Sequence, residues 1–396
     1  MNNSPSRFTR RSATLAGLSL PLALVACGAD DDPEIPELTA TEIPTQAPPT
    51  PTQEPVASPV GGYQDEGRWA GRTLTVATAG VAEFLDDLNA SFFDAFAADT
   101  DCVVEHVSLG REGVESVTSQ VESGNIQWDV VLMPTSQVLE LSNLGVLAAI
   151  DYDIVNGDSL YEELMMQHGV GAMLYSTTMV YSVTAENPPQ NWADFWDLSL
   201  FDGSRALRRS PVGTLEFALL ADGVSKDELY PLDVERAFAV LETLRGDTTI
   251  FYEDSKQPVE LVSSGQVGLA SSWTVRTNLP DVASLVLPQW NGGMISADAW
   301  VTPRGSENAD VAMSFINYAT RAVPTANFSG RQPFGPVNKD ALELMRDDIV
   351  ETLPNSPEHL EVQFFENWSY WRDRRESLEA QFEEWLLNPP EATPEE

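Results

Sequence analysis

Cysteine, histidine and positive charge are all scarce in this chain of 396 residues. Two cysteines and three histidines are too few for a structural zinc site or a disulfide framework. The histidines, His106, His168 and His359, include no pair at metal-ligating spacing, so no metal is expected. Against 22 Lys and Arg stand 61 Asp and Glu, a formal net charge of -39. Binding to phosphate backbones needs a basic patch, so nucleic acid is excluded as a general partner. The same charge disfavours electrostatic docking onto anionic lipid. A nucleophile elbow, a phosphate loop, a dinucleotide fingerprint and a zincin helix are all missing, and no spacing singles out one carboxylate pair for glycosidase-type work. The chain therefore reads as a protein that is not an enzyme and needs no cofactor.

What is present is a core. Apolar residues make up 42% of the chain and ten are tryptophan, enough for two lobes of ordinary size. Arg7, Arg10 and Arg11 precede the apolar stretch Ala13–Ala26, which is too short for a permanent span and suits a signal sequence. That stretch ends in Leu24-Val25-Ala26-Cys27, a lipobox in form. It marks 1–27 as a lipoprotein signal peptide and Cys27 as the lipidated N-terminus, a stable anchor to the outer face of a membrane, in the periplasm or at the cell surface. Sec and twin-arginine export both remain open. Residues 28–69 are rich in Pro, Thr and acidic residues and read as a disordered tether. The tail 389–396 reads the same way.

Beyond Gly71 the pattern alternates. Arg72–Ala79, Val103–Leu109 and Trp128–Pro134 read as strands, and Phe84–Ala98 and Gly113–Gly124 as helices. Strands alternating with helices imply a mostly parallel sheet. Ligands of such sheets bind beyond the carboxyl ends of strands, which makes Thr78, Ala79, Thr135, Ser136 and Gln137 rim candidates. Trp128, Trp192 and Trp196 sit among apolar neighbours and read as core, as does Cys102.

The rest of the chain carries an ordered set of motifs. They include Asn191-Trp192-Ala193-Asp194-Phe195-Trp196-Asp197, Leu215-Glu216-Phe217-Ala218-Leu219-Leu220, Ser264-Gly265-Gln266-Val267-Gly268, Asp298-Ala299-Trp300-Val301-Thr302-Pro303 and Phe334-Gly335-Pro336-Val337-Asn338. A final aromatic helix contains Trp371 and Trp385. Over residues 71 to 388 this resembles the spermidine/putrescine-type extracellular solute-binding proteins of bacterial ABC importers. The resemblance implies an α/β, type II-like two-lobe clamshell, each lobe a central, mostly parallel sheet flanked by helices. Lobe one would take 71–178 and 299–343, and lobe two 179–298 and 344–388. The hinge would lie near Thr177–Met179 and the entry to Ala299. A monomer would close on its ligand and dock on the permease of an ABC importer.

The resemblance also implies a polyamine as the small-molecule ligand, its ammonium groups meeting carboxylates and its methylenes meeting aromatic faces. Asp298 matches an acidic ligand residue of that family, and Trp273 approximates a cleft aromatic. Phe334 falls near a family tyrosine, and Thr135 and Gln137 near a serine and a tyrosine. Two family carboxylates fall instead at about Ser210 and Gly213, so Glu216 is either their substitute or a solvated helix residue. The loop after the first strand lacks the aromatics of polyamine binders, which leaves another small solute open. A surface-tethered sensor reporting to a signalling partner would carry the same binding module.

Overall fold

A computed structural model of the chain describes residues 53–56, 66–110, 112–201, 203–246 and 249–388. The signal segment 1–27 with Cys27, most of the 28–69 tether and the tail 389–396 lie outside the described residues.

Nine strands join into a single sheet among the described residues: β1 (Thr73–Thr78), β2 (Val103–Ser108), β3 (Val130–Pro134), β4 (Val170–Ser182), β5 (Arg205–Arg208), β6 (Thr249–Tyr252), β7 (Leu269–Trp273), β8 (Val286–Val301) and β9 (Phe364–Phe365). Their order is β2-β1-β3-β8-β4-β7-β5-β6, with β9 beside β8. β1 runs parallel to β2 and β3, and β5 runs parallel to β6 and β7. The join between these two parallel sets is the antiparallel pair β4 and β8. At 13 and 16 residues, roughly 45–55 Å by strand rise, these two strands are long enough to belong to both halves.

The apolar residues sort into cores on either side of that join. One core gathers Leu74, Phe92, Leu132, Leu174, Ile295, Trp300, Phe315 and Phe328. The other gathers Met179, Trp192, Phe217, Leu269, Met294, Trp371 and Phe382. The chain passes from one to the other between Leu174 and Met179 and again between Met294 and Ile295. The ladder between β4 and β8 shifts register between Thr177 and Met179.

Three expectations change here. By sequence, Asp298 is expected just before a strand Ala299-Trp300-Val301, but β8 is continuous from Val286 to Val301 and holds it in its interior. Met345, Ile349 and Leu353, expected with lobe two, bury against Ala326 and Ala341, in continuity with the helix Ala322–Ser329 whose Phe328 belongs to the first core. The stretch read as a free tether is partly bound. Gln53 is buried, and Trp69 is buried with its indole N–H donating to Ser314 Oγ at 2.9 Å. An isolated glutamine or tryptophan in a polar, proline-rich stretch carries no periodicity, so composition could not reveal that it has a socket.

Elsewhere the local readings hold. The helical spacing from Phe84 appears as Ala82–Leu88 and Asp94–Thr100 joined by a π turn over Asn89–Phe93, burying Leu88, Phe92, Phe93 and Phe96. Cys102 and Trp192 are buried, and Trp371 and Trp385 stand on the helix Trp368–Leu387.

Candidate ligand-binding site

The carboxyl ends of three strands meet at one recess. β3 delivers Thr135 and Ser136, β5 delivers Arg208 and β7 delivers Trp273. Tyr175 of β4, Ser296 and Ala297 of β8, and Glu366 and Arg375 complete its polar wall. The enclosed space is about 50 Å³. Glu366 also lines a larger groove of about 570 Å³, whose walls include Glu162, Glu163, His168 and Asp227. Lining residues come from both apolar cores, so the recess lies between the lobes.

Positive charge enters it from β5. The Arg208 guanidinium lies 4.7 Å from the centre of the Trp273 ring, and Arg276 lies 5.7 Å from the same centre. Tyr175 meets that ring edge-on at 5.6 Å. Arg276 is also bound to Ser255 Oγ at 3.1 Å. The Arg208 guanidinium has no hydrogen bond or ion pair among the described residues, although it faces Glu366 at longer range. Two helices begin at the same wall. One is Thr135–Leu144, and in the other, Pro211–Ala221, Val212 and Gly213 are non-helical, so regular helix starts at Thr214. First-turn N–H groups there add positive partial charge.

Negative charge enters from two carboxylates. Glu366 accepts from Ser296 Oγ at 2.7 Å and lies 3.8 Å from Arg375 Nη2. Burial pushes its carboxyl up, against the pull of Ser296, Arg375 and Arg208. Asp298 shares a strand face with Met294 and Ser296 by the two-residue period of β8. It is half-buried, and burial pushes its carboxyl up to about 7 against the opposing field of Arg276.

Of the residues singled out from sequence, Thr135, Ser136 and Trp273 line the recess, and Thr78 and Ala79 do not. Thr135 Oγ1 donates to the Ala297 carbonyl at 2.6 Å, tying the start of its helix to β8. Asp298 stands one strand step beyond the lining residues Ser296 and Ala297. Phe334 is placed behind the wall: its ring lies 6.5 Å from Tyr175 and 5.9 Å from Phe84, at the edge of the first core. Gln137 is half-buried on the first turn of its helix and does not line the recess.

Glu216 is neither a lining residue nor a solvated one. It is fully buried, with Oε2 accepting the Gly213 N–H at 2.9 Å. Its Oε1 accepts from Tyr230 Oη at 2.6 Å and Trp371 Nε1 at 2.8 Å. A glutamate three residues into a helix that reaches back to a cap N–H is the second half of a capping box, and Gly213 supplies the left-handed turn, φ 81°, that lets the chain enter there. Burial pushes the Glu216 carboxyl up to about 7 although three donors oppose it. The network continues from Tyr230 Oη to the Asn367 N–H at 3.4 Å, beside Glu366. Glu216 thus ties together two segments that wall the recess.

Sequence reading singled out none of Arg208, Ser296, Glu366 and Arg375 as a ligand contact. The rule applied to β1 and β3 would have reached Arg208, which ends its strand just before Pro211. Glu366 follows a two-residue strand, and nothing local marks it.

Residues 91–358 match the family of bacterial extracellular solute-binding proteins. The chain belongs to that family, the exported substrate-binding components that bind a small solute and work with an ABC permease. Such proteins bind solutes rather than transform them. The chain is 31% identical to the gamma-aminobutyric acid-binding protein of Pseudomonas aeruginosa, over 68% of this chain and 78% of that one. It superposes on an ABC transporter substrate-binding protein from Bradyrhizobium japonicum USDA 110 with TM-score 0.74 at 28% identity, over 80% of this chain and 100% of that one. A solved GABA receptor is 29% identical with TM-score 0.71, over 80% of this chain and 98% of that one. The two-lobe fold expected from sequence is that of these neighbours.

Proposed function

We propose that this protein captures a small ω-amino acid of the GABA type in the interlobe recess and delivers it to an ABC permease, held to the membrane by lipid on Cys27. The observation that carries the ligand reading is Arg208. Its guanidinium stacks on Trp273 at the recess wall, beside helix starts at Thr135 and Thr214. That combination suits a carboxylate, which a guanidinium can bind through two parallel hydrogen bonds. Asp298 and Glu366 supply acceptors for an ammonium group. The names of the two GABA-binding relatives agree with a ligand that carries both charges.

A polyamine, the ligand implied by the sequence resemblance, fits this wall less well. It would bring an ammonium toward Arg208, and the face of Trp273 that should stack on methylenes already carries a guanidinium. Like charges brought together out of water cost several kcal/mol, roughly the margin that separates a binder from a non-binder. Isothermal titration of the protein with GABA, putrescine and spermidine tests the reading. Micromolar or tighter GABA binding, about -8 kcal/mol or better, with weak or no diamine binding is the expected result. Tight putrescine binding without GABA binding would overturn it in favour of a polyamine.

A further inference from the structure

We infer that Gln53–Val56 is a clip that fastens the N-terminal leash to the first lobe, in a socket formed by the helix Ala322–Ser329, Gly330 and the 3-10 turn Lys339–Leu344.

The contacts are numerous for four residues. The Gln53 N–H donates to the Gly330 carbonyl at 2.9 Å. The Gln53 side chain, buried at 7% exposure, accepts from the Arg346 N–H at 3.1 Å and donates to the Leu344 carbonyl at 3.5 Å. One residue after Pro55, Asn327 treats Val56 as a strand neighbour would. Its Oδ1 accepts the Val56 N–H at 2.5 Å and its Nδ2 donates to the Val56 carbonyl at 3.3 Å. The Val56 side chain packs on the cluster of Ala326, Ala341, Met345, Ile349 and Leu353. Pro55 has no N–H to leave unpaired between the two anchored residues.

The socket is also shaped for the segment. A Cβ placed on Gly330 would come within 2.6 Å of Gln53 Cβ, well inside any contact two carbons tolerate. Gly330 itself has an ordinary φ of -75°, so the backbone does not require glycine there. The close approach of Gln53 does.

Polar side chains that fill their hydrogen bonds in a specific socket distinguish docking from chance collapse. The consequence is directional. Everything that pulls on the chain from before Gln53 pulls on the first lobe at the Ala322–Ser329 helix. Among the described residues the second lobe, carrying Arg208 and Trp273, bears no such attachment. The chain from Cys27 to Thr52 then lies between the lipid and this attachment. This inference rests on the first lobe alone and is independent of the ligand.

Amide hydrogen exchange on the full chain tests it, with Gly330→Ala and Asn327→Ala as variants. In the unaltered protein the Gln53 and Val56 amides are expected to exchange at least roughly tenfold slower than unstructured amides. Gly330→Ala should return both to the unstructured rate. Asn327→Ala should release Val56 more than Gln53. Protection of the first-core strands β1 and β3 should stay unchanged in both variants, which separates release of the clip from unfolding. Unstructured exchange at Gln53 and Val56 in the unaltered protein would overturn the inference. So would a Gly330→Ala variant that keeps their protection.

Discussion

Arg208 and Trp273 form a stacked pair at the meeting point of the two lobes, guanidinium to ring centre 4.7 Å. They come from the ends of adjacent parallel strands, β5 and β7, and each holds the other's orientation. An arginine stacked on an indole keeps its N–H edge free for an in-plane acceptor.

Arg208→Ala should therefore weaken GABA binding by about 2–5 kcal/mol, the cost of truncating one partner of a desolvated charge pair. Arg208→Lys should recover little, because an ammonium reproduces neither the stack nor the two-point grip. Titration calorimetry reads both. An Arg208→Ala protein that binds GABA as tightly as the parent would refute the carboxylate assignment.

Asp298 makes a pH argument with two opposite signs. Burial lifts its carboxyl to about 7, whereas in the unfolded chain it titrates near roughly 4. Between those values the native ligand-free state holds a proton that the unfolded state has released. Stability contributed by Asp298 is present at low pH and is lost as pH rises through that window. Glu216, also lifted to about 7, acts in the same direction. Under the proposed reading, affinity for an ammonium ligand should run the other way and increase as pH rises toward and past 7, because the Asp298 carboxylate is the proposed acceptor. Urea midpoints and Kd values between pH 5 and 8, roughly the span of the shift, measure both slopes. Asp298→Asn should flatten the affinity slope and reduce the stability slope to the share left by Glu216; unchanged slopes in that variant would remove Asp298 from the argument.

Glu216→Ala should destabilise the second lobe strongly, since Gly213 N–H, Tyr230 Oη and Trp371 Nε1 all lose their acceptor. Leaving a buried donor unpaired costs about 1–3 kcal/mol each. Tyr230→Phe removes one arm and should cost nearer 1 kcal/mol, about the net worth of one hydrogen bond. Denaturant titration gives the comparison. A Glu216→Ala protein as stable as the parent would show that the network carries no load.

Gly213→Ala places a side chain at φ 81°, with its Cβ 3.2 Å from the Phe217 ring. Non-glycine residues held in that region cost about 1–3 kcal/mol. Because Val212 and Thr214 flank it on the recess wall, the variant should lose ligand affinity as well as stability. Thermal melting and titration on the same sample check both.

Much of the fold was legible because it rests on local patterning. The continuous apolar run of β3 and the helical spacing from Phe84 to Phe96 state their own structure. The ordered motifs from Asn191 to Asn338 pointed to the fold class before any coordinates. Thr135 and Ser136 could be placed because the ends of parallel strands are where ligands sit, and Trp273 through the resemblance to a cleft aromatic.

Other features are products of long-range closure. Glu216 reads in sequence as either a ligand carboxylate or a solvated helix residue, and only the approach of Tyr230 and of Trp371, 155 positions away, makes it a buried capping hub. Glu366 reaches the recess because the chain crosses between the lobes and pairs β9 with Met294 and Ile295 of β8. Gln53 became a clip because Gly330, 277 residues on, leaves room for its backbone. Sequence alone determined the first strands and helices from Arg72 to Pro134 and the acidic composition, which depend on near neighbours or on counting, and its ordered motifs pointed to the two-lobe class. Tertiary structure decided which charges face the solute, because burial and pairing exist only once distant segments have met.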